Sequence, residues 1–257
     1  MTAPALAHER RDGDAAPAAS YVRSLSVFFP CYNDAPTIAG LVRRVSTTLD
    51  DAGVAHDVVV VNDGSSDGSA AILRDLADET DVLRVVDHGV NRGYGAALRS
   101  GFAAATRDWV FYTDGDGQFD PAEVVALLAR ASDDVDVVQG RKLNRSDSLL
   151  RAVVGRAYHH VVRVMFRLPA SDTDCDFRLI RREALERVTL RHSSGVICVE
   201  LLRKLDRAGA RFAEVGVHHY PRPYGRSQFF RVRRVAESLR DVALLWVRLV
   251  LLRRSDG

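Results

Sequence analysis

Between residues 24 and 138, short runs rich in β-branched or aromatic residues alternate with segments of helical period, and few folds accommodate that alternation. The runs are Ser24 to Phe29, Asp57 to Val61, Leu83 to Val86, Trp109 to Tyr112 and Val135 to Val138. Between them lie Thr37 to Leu49 (apolar at Ile38, Leu41, Val42, Val45 and Leu49), Ser69 to Ala77, Gly95 to Ala105, and Pro121 to Ala131, whose Pro121 suits a first helical turn. Apolar strands joined by helices predict βαβ units, a mostly parallel sheet covered by helices on both faces. With 257 residues and 47% hydrophobic content, the chain can bury such a core.

Two of the predicted strands end in acidic turns. The first, VVVVNDGSSD, places Asp63, Gly64, Ser65, Ser66 and Asp67 after Val58 to Val61; the second, TDGDGQFDP, places Asp114, Asp116 and Gln118 after Trp109 to Tyr112. Successive strand side chains point to opposite faces, so Asp114 and Asp116 converge only if the chain turns there, which Gly115 and Gly117 permit. Oxygen ligands so arranged suit a hard divalent cation. In open parallel sheets ligands bind outside the carboxyl ends of strands, so the two turns form one site if their strands are neighbours. A calcium loop is disfavoured, because the sixth and twelfth positions from Asp114 are Phe119 and Val125. NDGSSDGS also suits a capped helix start, with Ser66 or Asp67 as N-cap. GVNRGYG lacks the spacing of a dinucleotide fingerprint, and His218 and His219 lack the companions of a zinc site.

The formal charge is only +2, which does not suggest nucleic-acid binding. Cys31, Cys175 and Cys198 are odd in number and widely spaced, so neither a disulfide framework nor a zinc site is indicated and a reducing cytoplasm is expected. Residues 1 to 23 read as a disordered lead without the apolar stretch of a signal peptide. After about residue 140 the alternation gives way to basic, helix-like segments (Leu149 to Arg167, Arg181 to Val188, Val199 to Ala208) and a short strand near Phe212 to His218. Residues 231 to 257 form a basic amphipathic helix with Val232, Val235, Leu239, Val242, Trp246 and Val250 on one stripe. Core packing, a dimer face and a membrane surface compete to bury that stripe, and the flanking arginines favour the membrane.

The motifs PCYND (Pro30 to Asp34), VVNDGSSD (Val60 to Asp67), NRGYGAALRSGF (Asn91 to Phe102), DGDGQFDP (Asp114 to Pro121), VQGRK (Val138 to Lys142), DTDCDFRLIRR (Asp172 to Arg182) and YPRPYGRS (Tyr220 to Ser227) occur in this order. The chain thereby resembles the inverting family 2 glycosyltransferases of GT-A fold, most closely the polyprenyl-phosphate (dolichol-phosphate mannose synthase-like) branch, with residues 24 to 230 as the transferase domain. The resemblance implies that Pro30, Tyr32, Asp34, Asp63 and Gly64 hold the nucleoside of a nucleotide sugar. Asp114, Asp116 and Gln118 match the site for Mg²⁺ or Mn²⁺ and the diphosphate, and Arg222, Arg226 and Ser227 match a segment that closes over the donor phosphates. Arg141 stands where the branch meets the lipid phosphate, with Arg151 or Arg156 assisting, although Gly155 replaces an expected hydroxyl.

Like charges about 4 Å apart cost around 4 kcal/mol at an effective dielectric of 20, so a diphosphate approaching two carboxylates requires a cation between them. The expected function is metal-dependent, inverting sugar transfer to polyprenyl phosphate at the inner face of the cytoplasmic membrane. A phosphate acceptor, largely dianionic at neutral pH, needs no strict general base; a hydroxyl acceptor would, with Asp176 or Asp174 as first candidate. Gln228 to Val232 lacks QxxRW, which disfavours a processive synthase. A transferase for a soluble or glycan acceptor and a non-catalytic nucleotide-sugar-binding scaffold are the alternatives, and a homodimer is allowed by all three.

Overall fold

The computed structural model describes residues 21–143, 161–224 and 240–252. The predicted lead through residue 20, Arg151, Arg156, Arg226, Ser227 and most of the proposed C-terminal helix lie outside the described residues.

Seven strands form one sheet: β1 (Ser24–Cys31), β2 (Ala55–Asn62), β3 (Leu83–Asp87), β4 (Trp109–Thr113), β5 (Val137–Lys142), β6 (Phe177–Arg181) and β7 (Phe212–Val217). Their spatial order is β3-β2-β1-β4-β6-β5-β7, with β6 antiparallel to both β4 and β5 and every other pair parallel. The helices α1 (Ile38–Asp51), α2 (Ser69–Glu79) and α3 (Tyr94–Ala104) fall near their expected bounds. Pro121 to Ala131 is shorter than expected, a 3-10 turn at Pro121–Glu123 followed by α4 (Val124–Leu128). Asp120 caps that turn, accepting from the Ala122 amide at 2.9 Å. At α2 the N-cap position falls to Gly68, while Asp67 Oδ1 accepts from the Ser69 amide at 2.9 Å.

Strand alternation sorts the side chains into two cores. Val27, Phe29, Val58, Val60 and Phe111 pack with Val42 and Val45 of α1, Leu73 of α2 and Val124 of α4. The opposite face carries Phe28, Val59, Val61, Val110 and Tyr112 against Ala97 and Leu98 of α3 and Ile197, Leu201 and Leu205 of α6 (Ile197–Arg207). The far side of α6 builds a third cluster, in which Leu202 meets Val162, Phe166, Val242, Leu245 and Leu249. The described part of the C-terminal segment therefore buries one face on protein, and the Trp246 indole donates to the Met165 carbonyl at 2.9 Å. Leu244, Leu251 and Leu252 on its other face are exposed. No helix among the described residues is long and apolar enough to cross a membrane.

Three sequence expectations need correction. β6 is a strand that the sequence pattern does not announce, because Arg178 interrupts the apolar run FRLIR; the short helix α5 (Arg182–Glu186) follows it. β5 continues past Val138 through Gln139 and Gly140 to Lys142, because the fully buried Gln139 finds internal partners for its amide. The strands bearing the acidic turns are not neighbours, since β1 lies between β2 and β4. All three end at the same edge, and the turn after β1 bridges the two acidic turns.

Candidate active site

Asn33 joins the first two turns. It adopts a left-handed conformation (φ 60°), and its Oδ1 accepts from the Ser66 amide at 2.7 Å and the Asp67 amide at 3.3 Å. Its own amide donates to Ser65 Oγ at 3.0 Å, and the Ala35 amide donates to Asp67 Oδ2 at 3.1 Å. The third turn is attached as closely: the Gly115 amide donates to the Pro30 carbonyl at 3.3 Å, and the Thr37 hydroxyl donates to the Gly115 carbonyl at 2.6 Å. Gly64 makes this crowding feasible. Its φ is +69°, and a Cβ there would lie 2.3 Å from the Val90 carbonyl carbon. Gly64→Ala is expected to cost about 2–4 kcal/mol through left-handed strain and overpacking together; an unchanged denaturation midpoint would contradict that packing.

Asp63 is buried, with its carboxylate turned inward. Oδ1 receives His88 Nδ1 at 2.6 Å and the Arg92 amide at 2.8 Å, and Oδ2 receives the Gly93 amide at 2.9 Å. His88 in turn meets the Ser100 hydroxyl through Nε2 at 2.9 Å. Asp63 therefore shapes the turn from within, while Tyr32 stands exposed at the rim.

Asp34, Asp114, Asp116 and Asp176 gather at the centre of the edge. Burial, then Asp176, then Asp116 hold the Asp114 carboxyl well above the usual range, and Tyr94 Oη donates to its Oδ1 at 2.8 Å. Burial likewise raises Asp116, whose Oδ2 lies 2.5 Å from Arg222 Nη2 and whose Oδ1 accepts from the Gln118 amide at 2.9 Å. Asp34 is pushed up to about 6, chiefly by burial, with the Asp116 charge adding to it. A carboxyl whose proton affinity is raised in the fold costs stability as pH rises from its ordinary 3.8 to about 6, and it attracts a cation less once protonated. Divalent-dependent nucleotide affinity should accordingly fall as pH drops through about 6, and Asp34→Asn should flatten that fall; calorimetric titration across pH 5–8 measures both.

The expected metal set is met in part. No three carboxylate, histidine or cysteine groups among the described residues cluster to hold an ion unaided. Asp114 and Asp116 nevertheless fit Mg²⁺ or Mn²⁺, which characteristically take one or two carboxylates and complete their shell with phosphate and water. This mutually repelling pair, with Asp116 buried and Asp114 half-buried, already draws one cation, the Arg222 guanidinium. Gln118 donates its side-chain amide to the Tyr220 carbonyl at 3.3 Å, and its backbone carbonyl accepts from the Tyr220 amide at 2.8 Å, so it anchors the segment carrying Arg222. Arg141, the last residue but one of β5, is exposed, with no side-chain partner among the described residues; the neighbouring Lys142 donates to the Asp174 carbonyl at 2.9 Å. His218 pairs with Glu123 at 3.2 Å and His219 packs on Phe119, both packing roles. The three cysteines are free and buried.

Asn33, Tyr94, His88 and Arg178 were not singled out by the sequence. Asn33, Tyr94 and Arg178 do lie inside the PCYND, NRGYGAALRSGF and DTDCDFRLIRR motifs, which was the available signal. A cavity of about 840 Å³ lined by Tyr21, Asp108, Trp109 and Arg181 opens at the other edge, where β1 and β4 begin, away from these carboxylates.

The family model described as glycosyl transferase family 2 matches residues 26–189. Curated relatives include undecaprenyl-phosphate 4-deoxy-4-formamido-L-arabinose transferase from Salmonella typhimurium (strain LT2), 30% identical over 222 residues, which are 86% of this chain and 65% of the relative. The chain thus spans just under two thirds of the length of that relative. Among solved structures, glucosyl-3-phosphoglycerate synthase from Mycobacterium tuberculosis in complex with Mn²⁺, UDP and phosphoglyceric acid superposes with a TM-score of 0.68 at 20% identity, covering 90% of this chain and 80% of that one. A mannosyltransferase from Pyrobaculum calidifontis in complex with GDP-Man and Mn²⁺ gives a TM-score of 0.64 at 23% identity, covering 93% of this chain and 68% of that one. These likenesses establish a shared GT-A fold.

Proposed function

The chain belongs to glycosyl transferase family 2, and from that premise we propose that it transfers a sugar, with inversion, from a nucleoside-diphosphate donor to polyprenyl phosphate. The observation carrying the proposal is the convergence of Asp34, Asp114, Asp116 and Asp176 at one strand edge, three of them with raised proton affinity and one paired to Arg222. Buried acids that repel each other are destabilising unless a cation joins them. When bound, Mg²⁺ or Mn²⁺ supplies charge neutralisation for the departing nucleoside diphosphate.

The residues divide the work. Pro30, Tyr32, Asp34, Asp63 and Gly64 form the nucleoside side. Asp114 and Asp116 hold the ion, with Gln118 tethering the segment on which Arg222 sits, so that Arg222 can turn from Asp116 to donor phosphate oxygens, joined by Arg226 and Ser227. Arg141, with Arg151 or Arg156, receives the acceptor phosphate and orients its oxygen for attack on the anomeric carbon from the face opposite the leaving group. A guanidinium serves there because its fixed fork matches phosphate oxygens in pairs.

Support for polyprenyl phosphate comes from the name of the curated relatives. Exposed Val161, Val164, Leu244, Leu251 and Leu252 support a peripheral position at the inner membrane face. Incubation with radiolabelled UDP- and GDP-sugars, Mn²⁺ and polyprenyl phosphate should give organic-extractable label, and absence of label across these donors would overturn the proposal. A hydroxyl acceptor is the second reading, favoured by the Asp176 oxygen that has no donor among the described residues, and would appear as label in a water-soluble product.

A further inference from the structure

Arg178 is fully buried, yet every terminal nitrogen of its guanidinium is engaged. Nε donates to Gln139 Oε1 at 2.5 Å, Nη2 to the Thr173 carbonyl at 2.7 Å, and Nη1 to both Tyr112 Oη and Asp176 Oδ1, the latter at 2.5 Å. Gln139, itself fully buried, passes its amide hydrogens to the carbonyls of Gly140 at 2.9 Å and Cys175 at 2.7 Å. One guanidinium and one amide therefore hold the loop 172–176 from both ends.

The bonds at Asp176 are asymmetric. Arg178, the Cys198 thiol at 3.1 Å and the Tyr112 hydroxyl at 3.3 Å all converge on Oδ1. Burial first, and Asp176 next, push the Cys198 thiol up, which keeps its hydrogen available for donation. Oδ2 has no donor among the described residues, and the side chain retains 14% exposure. A carboxylate oxygen left open beside Asp114 repels phosphate and accepts only from a hydrogen-bond donor.

We infer that Arg178 is a positioning residue: with Cys198 and Tyr112 it clamps Asp176 through Oδ1 alone and presents Oδ2 to a hydroxyl of the transferred sugar. The inference rests on the proposed transferase reading in one respect, that a sugar enters this edge. The clamp itself follows from the side-chain geometry.

Two measurements test it. In transfer assays, Asp176→Asn should lower kcat by about 100-fold, as loss of a positioned charged partner does. Cys198→Ala, Tyr112→Phe and Arg178→Lys should each lower kcat while changing the Mn²⁺–nucleotide Kd by no more than about twofold. Because Arg178 acts through Asp176, Arg178→Lys should cost almost nothing further in the Asp176→Asn background. An equal loss in both backgrounds, or unchanged kcat in both Cys198→Ala and Tyr112→Phe, would overturn the inference. The infrared S–H stretch of Cys198, isolated as the difference between wild type and Cys198→Ala, should shift on Asp176→Asn. An unchanged band removes the clamp even if no transfer is ever detected, whereas a shifted band with no transfer from any donor refutes the transferase reading alone.

Discussion

Asp114→Asn should abolish sugar transfer and at the same time raise the melting temperature of the metal-free protein. Activity is expected to drop by about 10³-fold or more, roughly 4 kcal/mol of transition-state stabilisation, because a neutral amide can neither hold a hard cation firmly nor offset leaving-group charge. Stability moves the other way. Burial, Asp176 and Asp116 raise the proton affinity of Asp114 in the fold, so its ionised form costs stability at neutral pH, and that cost vanishes as pH falls and the group protonates. Asparagine removes the charge and retains an oxygen for the Tyr94 hydroxyl now 2.8 Å away. Each kcal/mol recovered should raise Tm by about 2–4 °C in a domain of this size. Scanning calorimetry without metal, beside the radiolabel assay, measures both; a lower Tm or more than a tenth of wild-type activity would refute the account. Function held at the expense of stability is the expected signature of such a site.

Glu200→Gln should be among the most destabilising conservative changes in the chain. Burial alone would raise this carboxyl, but donors from the His192 ring and amide, Lys204 and the Arg191 amide overcome it and pull it to about 2. Glu200 Oε2 accepts from His192 Nδ1 at 2.9 Å and the His192 amide at 3.0 Å, and Oε1 lies 2.9 Å from Lys204 Nζ. The difference between its ordinary 4.5 and about 2 corresponds to about 3 kcal/mol of stability at neutral pH. With the folded value depressed, that contribution is complete above about 4.5 and is lost as pH falls toward 2. Glutamine substitutes an NH₂ for one acceptor and strands buried donors, so Tm should fall by roughly 6–12 °C at neutral pH. The difference between variant and wild type should shrink below pH 4.5, where wild type loses the same contribution. A constant difference across pH would show that the carboxylate charge is not the cause.

Glu200 also reaches the site indirectly. The loop it holds presses on the start of α3: the Gly95 amide donates to the Ser193 carbonyl at 2.9 Å, and a Cβ on Gly95 would lie 2.4 Å from the His192 carbonyl oxygen. Gly93 supplies one of the amides on Asp63. Glu200→Gln should therefore weaken nucleotide binding as well as folding.

The parts of the site that could be read from sequence were those whose signal is local. Asp114 and Asp116 follow an apolar run through a glycine-bearing turn, and Asp63 follows another, so their place at strand ends was legible. Gln118 was legible as a position and not as an interaction, since its amide is drawn to Tyr220, 102 residues away. Arg178 was hidden because a charged residue in a short apolar run argues against a buried strand unless distant groups satisfy it, here Tyr112, Gln139 and Asp176.

Periodicity of two and of 3.6 residues, read along the chain, determined the alternating strands and helices, the parallel sheet and the edge that bears the acids, because those features follow from which side chains must leave water. Tertiary structure alone decided the insertion of antiparallel β6 between β4 and β5, the joining of the turns through Asn33, and the single-oxygen grip on Asp176. Each depends on buried polar groups finding partners far away in sequence, and a hydrogen bond made across the sheet leaves no trace in the hydrophobic pattern of either strand.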